Sequence, residues 1–250
     1  MMPIETPDNW LRHHPLSDGE QLFTLFSSAS AAKPLKAWQL SHGTQAPSPI
    51  WGDTPYAQWA EAMPYVVRVD AGSGFLDWVA STEARDWGWL FVATATQEAL
   101  VEQFRSLTKV LLPTGDEVFF RFWDGRYVLP ILASDEVDAA ELLPLVGRCL
   151  INGQAQGIGG RATHTTRPSP WWQVPPSLLA RLGAQDPTTH INNLITWLSE
   201  DRPDLFEAFP EVVLRRKVAR FVAGGAASGD TKQALADYLG QECDRSGCNP

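Results

Sequence analysis

Apolar and polar positions follow the clearest pattern between Asp86 and Leu132. WGWLFVA (87–93) is an unbroken apolar run of strand length, which predicts a strand buried on both faces. Thr96 follows as an N-cap with Glu98 in the first turn, and Leu100, Val101, Phe104 and Leu107 recur at helical spacing. KVLLP (109–113) and EVFFRFW (117–123) read as two strands joined by the short turn Thr114-Gly115-Asp116. In the second strand Val118, Phe120 and Phe122 share one face, while Phe119, Arg121 and Trp123 share the other.

Upstream, residues 1–18 are polar and Pro-containing and read as a loosely held segment. LFTLFSS (22–28) fits either a buried strand or a short helix. KPLKAWQLSH (33–42) suits a helix, with Pro34 near its start and Gly43 after its end. Thr54-Pro55 reads as another helix start, with Tyr56, Trp59 and Ala60 as its apolar face. PYVVRV (64–69) predicts a strand, and Phe75, Leu76, Val79 and Ala80 mark a further helix. Strands alternating with helices imply an α/β fold: a mixed, largely parallel sheet with flanking helices, finished by the 109–123 hairpin.

Tyr127–Ala133 is a short apolar segment, and Asp135–Leu143 an amphipathic helix. Residues 147–170 turn Gly-, Thr- and Pro-rich, and beyond them the pattern is helical only. Helices are expected at Pro176–Leu182, after Asp186-Pro187 with Ile191, Leu194, Ile195 and Leu198 in one stripe, at Pro203–Phe209, at Pro210–Val222, and from Asp230. The expected organisation is therefore an N-terminal segment (1–18), an α/β lobe (19–150), a Gly/Pro-rich connector (151–170) and a smaller all-helical lobe (171–250).

Composition narrows the function. A hydrophobic content of 44% with eleven tryptophans marks a folded protein. No run approaches the roughly 18 apolar residues of a spanning helix, and MMPIETPDNWLRHH lacks a signal peptide's basic start and apolar core, so a cytoplasmic protein without a membrane partner is expected. Residues 1–150 hold 10 Lys/Arg against 19 Asp/Glu, and residues 151–250 hold 10 of each. An acidic first lobe does not suit nucleic acid, whose phosphates reward basic patches. It keeps the lobe soluble or steers a basic protein partner. Cys149, Cys243 and Cys248 make no disulfide framework, and no His accompanies the last two to complete a zinc site.

Catalytic motifs are missing. There is no phosphate loop, no His-Glu-x-x-His and no Gly-x-Ser-x-Gly elbow. Gly157–Ala162 fits a dinucleotide fingerprint nominally, but Thr163–Pro170 cannot open the helix that would hold a pyrophosphate. Of His13, His14, His42, His164 and His190, only His164 among threonines suggests a base, and no nucleophile elbow accompanies it. No enzyme activity, cofactor or metal is expected. The candidate residues are instead protein-binding ones. Arg121 and Asp124 either hold the fold, Asp124 capping the following turn, or form a partner-binding corner with Trp123 and Arg126; Asp before Gly is ordinary turn chemistry, which favours the first. Trp171-Trp172, between prolines, closes a core between lobes or anchors an interface. Arg215, Arg216, Lys217 and Arg220 end a helix, where cations are favourable, and are numerous enough for a docking strip.

Arg121-Phe122-Trp123-Asp124-Gly125-Arg126, after a helix, strand and turn, resembles the signature of the effector-loading adaptors of type VI secretion systems. Pro usually stands where this chain has Gly125, and often Tyr where it has Trp123. Met63-Pro64-Tyr65-Val66-Val67-Arg68-Val69 is similar to that family's Pro-Tyr-Leu-Val-x-Leu strand, and LFTLFSSAS (22–30) resembles its first strand, with Ser27 or Ser28 in place of the usual acidic residue at its end. The resemblance spans roughly residues 20–150 and settles LFTLFSS as a strand. It implies a non-enzymatic adaptor, or chaperone, that binds a type VI effector near its export region and hands it to the spike-tip protein. A small hydrolase or transferase, or an immunity protein that neutralises a toxin, are the alternatives.

Overall fold

The computed structural model describes residues 4–41, 45–160, 167–185, 187–224 and 231–246. They form two units, Met1–Leu178 and Leu179–Pro250. The strands of the first are β1 (Gln21–Ser27), β2 (Ser48–Pro49), β3 (Pro64–Arg68), β4 (Gly88–Ala93), β5 (Lys109–Leu111), β6 (Glu117–Phe119), β7 (Arg148–Ile151) and β8 (Gln154–Gly157). Its helices are α1 (Pro7–His13), α2 (Pro34–Leu40), α3 (Gly74–Ser81), α4 (Gln97–Ser106), α5 (Gly125–Leu132) and α6 (Ala139–Leu142).

The expected parallel sheet is an antiparallel one. Six strands stand in the order β2-β3-β1-β4-β7-β8, and every strand pair whose register is resolved in that sheet runs antiparallel. The physical reason is an inserted strand. β3 and β4 both run antiparallel to β1, so they are parallel to each other and joined through α3 as a crossover unit would be. β1 lies between them and turns each pairing antiparallel. The 109–123 hairpin forms, with Val110 opposite Val118, but as a separate two-stranded sheet. The main sheet is finished instead by β7 and β8, joined at Asn152-Gly153, whose φ angles of 51° and 74° suit a tight hairpin turn.

Other elements refine the sequence reading. Residues 1–18 contain α1, capped by Thr6, with Trp10 buried in the core. Thr54-Pro55 starts turns rather than a helix, and the 135–143 helix shrinks to α6 behind an Asp138 cap. Thr96 caps α4 as expected, its side chain accepting from Ala99 N at 3.3 Å.

β1 and β4 explain why the sheet is buried on both sides. Leu22 and Phe26 of β1 join Leu90 and Val92 of β4 beneath Trp10, Trp38, Phe75 and Leu76 of the first three helices. On the other face the Phe23 and Phe91 rings stack at 5.5 Å, and Phe104 of α4 sits 5.6 Å from Phe91 and 5.8 Å from Trp89. Each large side chain so buried contributes roughly 1.5–3 kcal/mol. Cys149 of β7 is buried too, and desolvation pushes its thiol up, out of reach of nucleophilic chemistry.

α7 (Pro176–Gln185) carries the chain into the second unit, whose remaining helices are α8 (Pro187–Asp201), α9 (Pro203–Glu207), α10 (Glu211–Ala223) and α11 (Thr231–Ser246). Its core is the predicted stripe of α8 (Ile191, Leu194, Leu198) against Leu205, Phe209, Leu214, Val218, Leu235 and Leu239. Asp186 and Asp230, read as helix caps, lie outside the described residues, as do His42, His164 and Cys248. Among the described residues no helix is long and apolar enough to cross a membrane.

Gly88 is the tightest point of the central pairing. Its φ is +146°, and a Cβ there would lie 2.1 Å from the Leu25 carbonyl oxygen. Gly88→Ala is expected to cost on the order of 3 kcal/mol or more, visible as a lowered urea midpoint followed by tryptophan fluorescence; an unchanged midpoint would contradict the tight β1–β4 register.

Candidate functional site

After β6 the chain turns inward because aromatic residues pull it there. Phe120 N still bonds Thr108 O at 3.0 Å, and then Phe122 and Trp123 are both buried. The Phe122 ring stacks on Phe104 at 5.7 Å, and its carbonyl accepts from Trp89 Nε1 at 3.0 Å. Trp123 meets Trp51 edge-on at 5.5 Å. These contacts carry Asp124 to a position where its residue is 0% exposed.

A carboxylate so buried is tolerable only when it is fully paired. Asp124 caps α5: Oδ1 accepts from Arg126 N and Nε, both at 3.0 Å. Oδ2 accepts from Arg126 Nη2 at 2.8 Å and pairs with Arg121 Nη2 at 3.0 Å. The hydrogen bonds that its guanidinium donates to Asp124 hold the Arg126 pKa above its already high value, so Arg126 remains a cation at any working pH. Arg126 also lies 3.9 Å from Asp86, whose Oδ1 accepts from Ser30 Oγ at 3.1 Å. Gly125 packs closely here: a Cβ would meet Asn152 Nδ2 at 2.8 Å and Ile151 Cγ2 at 2.9 Å, so a larger residue requires those side chains to shift. The signature is thus a clasp joining the hairpin's exit, α5 and the β7–β8 turn.

What the clasp shows to solvent is cationic. The Arg121 and Arg126 side chains are 39% and 40% exposed, and both guanidiniums lie over the Tyr127 ring, at 5.6 and 5.8 Å. Asp124 and Trp123 are shielded from any direct partner contact.

Trp171 and Trp172 lie in the first unit rather than with the helices. Trp171 Nε1 donates to Ser106 Oγ at 3.2 Å under the Arg167 guanidinium, and the Trp172 ring is 5.7 Å from Phe120. Leu111 N donates to Trp172 O at 2.9 Å and Val174 N to Leu111 O at 2.8 Å, so this segment lies beside β5 as an added extended strand. In the second unit Arg215, Arg216 and Arg220 are exposed on α10, Arg215 bonding Asn192 Oδ1 at 2.8 Å. Lys217 leaves the strip: it pairs with Glu242 at 2.5 Å and covers the Phe209 ring. Arg216 and Arg220 form no ion pair with a described residue, and Val212, one turn before Arg216, is 81% exposed.

The sequence reading missed one surface feature. Trp59 and Phe119, with ring centres 4.9 Å apart, stand exposed above buried Trp51 and Trp123. The signal was present, since Phe119 falls on the outer face of its strand, but nothing in the spacing linked it to Trp59. Among the described residues His, Cys, Asp and Glu do not gather in a group able to hold a metal ion.

A family model described as "Domain of unknown function (DUF4123)" matches residues 22–141. That stretch runs from β1 through α6 and contains the whole Arg121–Arg126 clasp, while Trp171, Trp172 and the helical unit lie outside it. No curated protein and no solved structure matches the chain.

The two arginines of the clasp are unequal. Arg126→Ala removes its bidentate contact and is expected to cost on the order of 1–2 kcal/mol, discounted for its partly exposed guanidinium, and Arg121→Ala less than about 1 kcal/mol. Thermal melts of the two variants check the ranking; equal losses would contradict it.

Proposed function

We propose that this protein is a cytoplasmic, non-enzymatic adaptor that binds a type VI secretion effector and helps place it on the spike tip. The observation that carries this reading is that the family match and the adaptor-like motifs fall on the same stretch of chain. The family model covers residues 22–141, and the adaptor-like motifs at 22–30, 64–67 and 121–126 fall inside it. The fold supports a scaffold role: the signature is spent on internal bonds, and the cations left free stand elsewhere.

In this reading the first unit performs the task common to such adaptors, and the helical unit selects the cargo. The exposed Arg216 and Arg220, with Arg215 and Val212 on the same face of α10, form a strip suited to an acidic, partly apolar cargo surface. Neither unit is assigned a catalytic role. Co-expression with a type VI effector and a spike-tip protein whose genes flank its own should yield a complex of all three, and the absence of such genes from its neighbourhood would count against the reading. Recovery of neither partner would overturn the proposal.

The strip has its own test. Arg215→Glu, Arg216→Glu and Arg220→Glu combined should leave the fold intact, since exposed charge changes usually shift stability by less than about 0.5 kcal/mol each. Effector recovered with the folded triple variant should drop by about tenfold or more, and the wild-type complex should weaken as salt rises. Undiminished recovery would leave the arginines as helix-end electrostatics.

A further inference from the structure

We infer that the outer edge of β6, with the aromatic rings beside it, is a docking site for an extended basic segment of a partner protein, which adds to the hairpin as a strand. The site rests on the first unit's own geometry whatever cargo the protein carries, and so goes beyond the adaptor reading.

The register defines the open edge. Leu112 N bonds Asp116 O and Phe120 N bonds Thr108 O, with Val110 opposite Val118 between them. By the antiparallel alternation, Glu117 and Phe119 then turn their N–H and C=O groups away from β5. No described residue bonds those groups. The opposite edge of the same hairpin shows what such groups attract. Leu111 turns outward on β5 and bonds the Trp172–Val174 segment through its N–H and its C=O, while Trp172 packs on Phe120. β6 makes the same offer and is unfilled among the described residues.

The rings supply the side-chain half of the recognition. Phe119 and Trp59 are each 41% exposed, and Tyr56 lies 5.1 Å from Phe119 and 5.3 Å from Trp59. Buried Trp51 contacts all three rings and fixes them from below. Exposed aromatics on a rigid base beside an open strand edge are the two elements of strand-addition recognition: main-chain bonds for affinity and ring contacts for alternate side chains.

Charge selects the occupant. The first unit holds 12 Lys/Arg against 19 Asp/Glu, a balance of −7. At the edge itself Asp116 and Glu117 stand exposed on the hairpin. Lys109 pairs with Glu117 at 3.1 Å and lies 5.7 Å over the Phe119 ring, so the negative excess at the edge comes from Asp116 and from the balance of the whole unit. A segment alternating Lys or Arg with apolar residues meets both the rings and the field. A second copy of this chain would bring the same negative charge and is disfavoured.

The test uses the full-length protein and a fluorescein-labelled nonapeptide of alternating Lys and Val, followed by anisotropy. The peptide should bind, and Trp59→Ala or Phe119→Thr should each weaken it by about tenfold, the loss typical of an interface anchor. N-methylation of alternate peptide residues, which removes main-chain donors, should weaken it as much, and the Glu/Val analogue should not bind. Absent binding, binding indifferent to Trp59→Ala and to N-methylation, or preference for the Glu/Val peptide would each overturn the inference. So would self-association of the free protein that Phe119→Thr abolishes, which would give the edge to a second copy.

Discussion

A single buried carboxylate organises the middle of this chain. Asp124 lies where the aromatic run Phe120–Trp123 has already been drawn under the sheet, and it has no water to solvate it. Its charge is met by the Arg126 fork, by Arg121 and by the Arg126 amide in the first turn of α5. Those bonds orient α5 against the β7–β8 turn through Gly125, and they keep Phe122 where its carbonyl receives the Trp89 indole. Losing either arginine leaves the buried carboxylate short of a partner, a cost that the part-exposed guanidiniums moderate. The hairpin exit, the central strand and α5 therefore stand or fall together.

Much of this was legible in the residues. WGWLFVA could only be a strand buried on both faces, the Thr96 cap and its stripe defined α4, and the helices of the second unit followed from period and punctuation. The order of strands was not legible. A period of two states which face a side chain occupies, not which strand lies beside it, and the insertion of β1 between β3 and β4 leaves no mark on either. Trp10 is one large ring in a polar stretch, and its burial depends on a core assembled from distant elements. Thr54-Pro55 looked like a helix start, yet Thr54 Oγ1 donates to Trp51 O and accepts from Tyr56 N, closing a turn that delivers Tyr56 and Trp59 to the ring cluster. Tertiary ring contacts outweighed local propensity there.

The same physics sorts the candidate residues. Asp124 and Trp123 are spent inside the fold, Trp171 and Trp172 belong to the segment that covers the β5 edge of the hairpin, and the arginines of α10 face solvent with little to hold them. The residues that make the chain recognisable are thus largely distinct from those available to a partner. Such a separation of scaffold from exposed surface suits the adaptor role proposed above.

The most direct test compares stability and effector capture for Asp124→Ala on one preparation. The account predicts that the urea-unfolding free energy falls by about 2–4 kcal/mol, as expected for a buried pair and a helix cap lost together. The fraction that remains folded should capture effector as the wild type does. Unchanged stability with capture lost would contradict the account and move Asp124 from the fold's clasp into the binding surface.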